Sequence, residues 1–97
     1  MNVTFHPRAN GPERLAAEVE VHFDEGPMHG LKLVGFAIWL GADGERYVTF
    51  PSRAFGGGTE RKFFDYLRSA DGSAEVVRGF KAWILNAYRV HLGEVGQ

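Results

Sequence analysis

Basic side chains flank a run of three glycines in the middle of the chain. Arg53 precedes the glycines at positions 56–58, and Arg61 and Lys62 follow them. Guanidinium groups bind phosphate through paired hydrogen bonds, and glycine lets backbone N–H groups approach an anion closely. The pattern therefore predicts a loop that binds phosphate, with a mobile hairpin connection and solvated charges as the alternative. It matches neither a dinucleotide-binding nor a P-loop motif, so a mononucleotide site is not expected.

A second group of basic residues lies near the C-terminus. Arg78, Lys81 and Arg89 fall on the polar side of a helical pattern, where they could follow a phosphate backbone. The alternative is an ordinary solvated helix face. Residues 46–93 carry eight basic and four acidic groups, whereas residues 1–45 carry three and seven, within a net charge of −1. This asymmetry favours an anionic partner for the C-terminal half.

Aromatic residues make up 13% of the chain. They could stack on the bases of a single strand, but core packing is the favoured interpretation because large rings help a small core reach adequate burial. The residues concerned are Trp39, Phe36, Phe63, Phe64 and Tyr66.

Neither a catalytic nor a metal site is expected. Ser52 lacks the Gly-x-Ser-x-Gly context of an activated nucleophile and any recognisable histidine partner. The four histidines lack metal-ligand spacing, and the chain has no cysteine. We therefore expect a protein that is not an enzyme and that uses no cofactor.

The chain of 97 residues is predicted to form a single domain over residues 1–97, with residues 1–14 irregular and 93–97 a short tail. The absence of cysteine fits a reducing compartment. No apolar run approaches the ~18 residues of a membrane span, and the N-terminus lacks the apolar core of a signal peptide. These features predict a soluble cytoplasmic protein with no membrane partner.

Strands are predicted before a single helix. Residues 15–23 alternate between apolar and polar types, as a half-buried strand does, whereas residues 31–40 are apolar on both faces. The alternation places Val34, Phe36 and Ile38 on one side of the second run. Asp43-Gly44 predicts a tight hairpin, and Pro51 should interrupt the ladder. Further strands are predicted at residues 2–5, 46–50 and 61–67.

A helix is predicted over residues 74–92, with Gly93 as its C-terminal cap. Its apolar stripe is expected to comprise Val76, Phe80, Ile84, Ala87 and His91. The fold class is therefore α+β, an antiparallel β-meander of three to five strands with one long C-terminal helix.

The chain has more apolar positions than the contact between one helix and one small sheet should cover. Such positions predict a homodimer or another protein contact, and Gly79 suggests a close backbone approach because glycine costs about 1 kcal/mol in a helix interior. The expected contact residues are Trp39, Gly79, Leu85 and Leu92.

Residues 33–88 resemble the SpoVG family of bacterial septation regulators, named for a stage V sporulation protein. The resemblance rests on the Asp43-Gly44 turn, VTFPSR at residues 48–53, the strand containing Phe64-Asp65, and ILNAY at residues 84–88. In the family, a strand with an aromatic-Asp-Ile sequence is usually followed by a His-Pro pair, whereas this chain continues from Asp65 as Tyr66-Leu67-Arg68-Ser69. The triple glycine and the acidic N-terminal region also differ from the family. The resemblance implies a small α+β dimer that binds nucleic acid and regulates division or gene expression, without catalysis.

Two functional hypotheses follow. In the first, a homodimer binds DNA or RNA through Arg53, Arg61, Lys62, Arg78, Lys81 and Arg89. In the second, the same fold is a protein–protein interaction module with no nucleic-acid role, which the near-neutral net charge and the acidic first half favour.

Overall fold

The computed structural model describes residues 1–8 and 11–94. These residues form six strands, two 3₁₀ turns and one α-helix. The strands are β1 (Asn2–Pro7), β2 (Leu15–His22), β3 (Lys32–Leu40), β4 (Arg46–Thr49), β5 (Ser52–Phe55) and β6 (Lys62–Asp65); the 3₁₀ turns are Gly26–Met28 and Gly58–Glu60; the helix is α1 (Ala74–His91).

The first four strands form one antiparallel sheet in the order β1-β2-β3-β4. The predicted α+β class and meander are confirmed. The β3–β4 connection is the predicted Asp-Gly turn: the Glu45 N–H donates to Asp43 Oδ1 at 2.9 Å, and Gly44 has a φ of 83°. β1 pairs with β2 from Asn2 to Pro7, which confirms the strand predicted at residues 2–5, so the irregular segment expected over residues 1–14 does not include that part. The rest of that segment includes residues 9 and 10, which lie outside the described residues.

A bulge in β3 changes which side chains face the helix. Val21 pairs with Leu33 and Val19 with Phe36. Between these pairs β3 has two residues, 34 and 35, where β2 has only one. Gly35 has a φ of 104°, a conformation that glycine adopts without strain. Val34 and Gly35 consequently both lie on the side away from the helix. The predicted placement of Val34 beside Phe36 is therefore wrong, and Leu33 takes its place against the core.

The core lies between one face of the four-stranded sheet, here the inner face, and α1. Alternate residues of β2 point to this face and are buried, as the period of two predicted. Phe36, Phe50 and Phe80 form a mutual edge-to-face cluster, with ring centroids 5.4 to 5.9 Å apart. The largest fully buried side chains are Phe36, Ile38, Ile84, Val19 and Val21.

The helix begins after Ser73, whose backbone is extended. Asp71 Oδ1 accepts hydrogen bonds from the Ser73 N–H at 2.8 Å and from Ser69 Oγ at 2.6 Å. The bond from Ser69, then that from Ser73, lowers the pKa of Asp71 below its usual value. The buried side chains of α1 are Ile84 and Tyr88, and Val77 packs against the core whereas Val76 is exposed. The face of α1 that packs against the sheet is thus rotated by about one residue from the predicted apolar stripe, which contained Val76.

The end of α1 is fixed to the sheet. Gly93 has a φ of 77°, and its N–H donates to Val90 O while the Glu94 N–H donates to Arg89 O, which is the predicted glycine cap. Arg46 on β4 donates two hydrogen bonds, of 2.8 and 2.7 Å, to the Glu94 carboxylate and thereby lowers its pKa. Gly93 and Glu94 are therefore ordered parts of the fold rather than a tail; residues 95–97 lie outside the described residues.

No helix among the described residues is long and apolar enough to cross a membrane.

Candidate nucleic-acid interface

The last two strands form a separate antiparallel hairpin instead of extending the main sheet. The strand predicted at residues 61–67 is therefore shorter, and its partner β5 was not predicted. Pro51, which lacks an N–H, separates β4 from β5 as expected, and its carbonyl accepts a hydrogen bond of 2.8 Å from the Tyr66 N–H. Pro51 also lies over Gly35, where any added Cβ would approach the proline Cβ to 3.0 Å. Because Gly35 has no side chain, Pro51 can pack directly against the main sheet at the base of the hairpin.

The glycine run forms the tip of this hairpin. Gly56 has a φ of 77°, and a Cβ at this position would lie 2.9 Å from the Glu60 carbonyl oxygen. A 3₁₀ turn over Gly58–Glu60 follows, closed by a bond from the Glu60 N–H to Gly57 O. The geometry of the turn alone therefore accounts for glycine at position 56, and a phosphate ligand is not needed to explain it.

One side of the hairpin combines cations and aromatic rings. Arg53 pairs with Phe64 and Phe55 with Lys62, and alternation puts all four side chains on the same side, here called the distal face. The Arg53 guanidinium carbon lies 4.5 Å from the centre of the Phe55 ring. The Phe55 and Phe64 rings meet edge to face at 5.0 Å. Phe55 and Phe64 remain 42% and 46% exposed, so the distal face offers rings to solvent beside two positive charges.

The opposite side of the hairpin carries Phe63, which is 65% exposed. The Arg61 guanidinium carbon lies 5.5 Å from the centre of this ring. Phe63 and Asp65 line a groove together with Trp39 and Tyr47 of the main sheet. The structure therefore divides the predicted loop residues: Arg53 and Lys62 share the distal face, whereas Arg61 associates with the other side.

The basic residues of α1 lie on the flank of the helix that faces β4, where the hairpin begins. Lys81 Nζ is 5.2 Å from the centre of the Phe50 ring, one residue before Pro51. Each residue of an α-helix is rotated by about 100° from the one before it. This rotation places Arg78 and Arg89 on the same flank as Lys81, but pointing farther from the core. Arg89 also helps to lower the pKa of Glu94, after the stronger effect of Arg46, so part of its charge is balanced there.

None of the six predicted basic residues forms an ion pair within 4.0 Å with a carboxylate of the described residues. Unpaired cations are available to an external anion at no cost in broken ion pairs. The predicted set is Arg53, Arg61, Lys62, Arg78, Lys81 and Arg89.

The predicted partner contacts occupy different environments. Trp39 is half-buried on the outer face, the side of the main sheet away from α1, and its indole N–H donates to Thr49 Oγ1 at 2.9 Å. Leu85 is half-buried and packs against the core of its own chain, so only part of its side chain is left for a partner. Leu92 is 44% exposed. No atom lies within 4 Å of a Cβ built at Gly79, so the described chain provides no close contact there.

Sequence reasoning missed Phe55 as a candidate site residue and assigned Phe63, Phe64 and Tyr66 to the core. Of the predicted core aromatics, Phe36 is buried, whereas these three are exposed. A usable signal was present: Phe55 follows Arg53 by two residues, and the same spacing separates Lys62 from Phe64. In paired strands, that spacing places each cation and ring on one side.

No group of three or more histidine and acidic side chains is placed to hold a metal ion among residues 1–8 and 11–94. Comparison of the chain with protein-family models, with curated proteins and with solved structures finds no match.

Proposed function

We propose that this chain is a non-enzymatic, cytoplasmic regulatory protein that binds single-stranded nucleic acid as a homodimer. The distal face of the hairpin carries the proposal, because it presents Arg53 and Lys62 beside the exposed rings of Phe55 and Phe64. Aromatic rings stack on unpaired bases while cations contact the phosphates between them. The resemblance to the SpoVG family supports the same class of function and a role in septation or sporulation.

Single strands suit this surface better than a duplex. Each strand of the hairpin has four residues and spans about 13 Å, which is too short to follow a groove over many base pairs. The rings of Phe55 and Phe64 are edge to face, so at most one or two bases would stack on each molecule. Lys81 and Arg78, on the helix flank beside β4, would extend the phosphate contacts beyond the hairpin.

The homodimer is supported by the outer face of the main sheet. Trp39, Val34, Tyr47 and Phe63 form an apolar region there, called the outer patch, and the last three are 52%, 49% and 65% exposed. Charged groups bound it on the side of β2, where Lys32 Nζ donates to Glu20 at 3.2 Å. A two-fold axis through the outer patch would bury apolar surface against an identical copy and leave the charged groups at the rim.

The proposal is tested by titrating labelled single-stranded DNA, RNA and duplex DNA at several salt concentrations. Replacing both Arg53 and Lys62 with glutamine should weaken single-strand binding and reduce the slope of log K against log salt by about 1.4, since each phosphate contact contributes about 0.7. Replacing Arg8 and Arg14, at the other end of the sheet, is the charge-matched control. A slope equal to that of the unmodified protein would remove the distal face from the site.

Assembly has its own test, by light scattering coupled to size exclusion. Trp39→Glu should convert the dimer to a monomer, because it places a charge in the outer patch. Trp39→Phe is the matched control, since it keeps an apolar ring but loses the bond to Thr49. A monomeric unmodified protein, or a dimer unaffected by Trp39→Glu, would contradict the proposed interface.

The outer patch also favours a second function, that of a protein–protein interaction module without nucleic-acid binding. Exposed apolar patches of this kind mark contact sites on many proteins. The two functions differ in the titration: absence of salt-sensitive binding to every nucleic acid, together with disrupted assembly in Trp39→Glu, would support the interaction module.

A further inference from the structure

An apolar cavity of about 250 Å³ lies between the first turns of α1 and one end of the inner face of the sheet. None of the distal-face residues lines it, so it is separate from the proposed nucleic-acid site. Its apolar lining comprises Met1, Val21, Phe23, Leu33, Phe36, Phe50, Leu67, Val76, Val77 and Phe80.

The cavity arises from the way in which one helix covers the sheet. The buried residues of α1 are Ile84 and Tyr88, in its C-terminal half, whereas Val77 and Phe80 at its beginning are only half-buried. At this end the helix and the sheet do not meet completely. The edge-to-face contacts of Phe36 with Phe50 and Phe80 fix the orientations of three wall rings, so collapse of the space would disrupt a packed cluster.

The side chain of Arg68 borders this cavity with its carbon atoms, because the lining is almost wholly apolar, and its guanidinium lies beyond them. Arg68 is among the lining residues, and its Nε donates to the Asp65 carbonyl oxygen at 2.9 Å, which holds the side chain in place. No carboxylate of the described residues lies within 4.0 Å of its nitrogen atoms. The two terminal nitrogens of the guanidinium can therefore receive both oxygens of an external carboxylate.

The dimensions limit what can bind. A dry cavity of about 150 Å³ accommodates benzene, with its six carbon atoms. By proportion, this cavity holds roughly ten non-hydrogen atoms. Its walls offer almost no hydrogen-bonding groups, so a polar body such as a sugar would lose its water without compensation.

We propose that this cavity binds a medium-chain carboxylate, with the hydrocarbon chain between α1 and the sheet and the carboxylate paired with Arg68. The chain removes apolar surface from water, and the ion pair at the rim orients the molecule. Arg68 thereby distinguishes an acid from an alcohol or an amine of the same length.

Binding is tested on the full chain with octanoate, octan-1-ol and octylamine, by calorimetry and by backbone-amide NMR shifts. Octanoate should bind in a saturable manner and shift the amides of Val21, Leu33, Val77 and Phe80. Octan-1-ol should bind roughly tenfold more weakly, because it lacks the charge-assisted bonds to Arg68. Octylamine should bind more weakly still.

Arg68→Gln isolates the role of the guanidinium. It should weaken octanoate binding by roughly tenfold while leaving octan-1-ol unchanged, since the alcohol uses only the apolar walls. Arg8→Gln, at the opposite end of the sheet, is the control and should leave both affinities unchanged. Equal affinities of octanoate and octan-1-ol for the unmodified protein, or equal losses for both in Arg68→Gln, would overturn the proposed orientation.

Filling the cavity gives an independent test. Val77→Phe adds a ring at a half-buried wall position and should abolish binding of all three compounds. Because this variant could misfold, octanoate-dependent stabilisation of the unmodified protein is measured by thermal unfolding in parallel. No saturable binding and no rise in Tm with octanoate would overturn the proposal, as would amide shifts confined to residues outside the cavity.

Discussion

Phe64→Ala is expected to weaken binding to single-stranded DNA of mixed sequence by roughly 5- to 100-fold, which corresponds to the loss of one base–aromatic stack. Phe64 is 46% exposed, and its ring meets that of Phe55 at 5.0 Å, so the substitution removes a surface for stacking and the support of its neighbour. The salt dependence should change little, because no charge is lost. The unchanged salt dependence distinguishes Phe64→Ala from the double substitution of Arg53 and Lys62, which should reduce it.

Phe63→Ala provides the matched control. Phe63 is the adjacent residue of the same strand, has the same side chain and is more exposed, at 65%, yet it lies on the opposite side of the hairpin. Because Phe63 also belongs to the outer patch, the comparison is made at a protein concentration at which light scattering shows this variant to be dimeric. There it should retain most of the single-strand affinity in fluorescence-anisotropy titrations. Equal losses for the two alanine variants would show that the distal face is not the stacking surface, and retention of affinity by Phe64→Ala would do so directly.

Local patterns predicted the elements that hold the hairpin in place. The alternation of residues 15–23 predicted β2, and Asp43-Gly44 predicted the turn that pairs β3 with β4. Helix periodicity and Gly93 predicted α1 to within one residue of its observed end. In each case the information lies within a few neighbouring residues, so one sequence is sufficient to read it.

Departures from regular patterns could not be predicted in the same way. A strict period of two assigned Val34 to the same side as Phe36, but the bulge at Gly35 reverses the phase of β3 from that residue onward. The rotation of α1 that half-buries Val77 and exposes Val76 depends on how the helix packs across the whole sheet. Both outcomes are set by tertiary packing, which overrides local periodicity.

The exposure of the hairpin aromatics was unpredictable for a related reason. Phe63 and Phe64 belong to types that are usually buried, and an additional strand of the main sheet would have buried one of them. Pro51 interrupts the ladder before β5, and the hairpin pairs with itself. The sequence shows where a ladder must stop, but not that the next two strands leave the sheet.

Ile84→Ala is expected to lower the free energy of unfolding by about 2–5 kcal/mol, the usual cost of removing a fully buried aliphatic side chain. Ile84 is 0% exposed and is one of only two buried residues of α1, so the cavity left behind lies at the main contact between helix and sheet. Small domains have a total stability of about 5–15 kcal/mol. The loss is therefore a large fraction of the total, and urea unfolding followed by circular dichroism will measure it.

Val76→Ala is the matched control for this loss, since Val76 is a β-branched residue of the same helix that is 60% exposed. It should change the stability by less than about 0.5 kcal/mol. A cost at Ile84 no larger than that at Val76 would contradict the packing of α1 described above. The hairpin does not contain Ile84, so Ile84→Ala should reduce nucleic-acid binding only through the fraction of unfolded protein. Loss of binding under conditions where that variant is fully folded would contradict this expectation and show that the packing of α1 at Ile84 positions the interface.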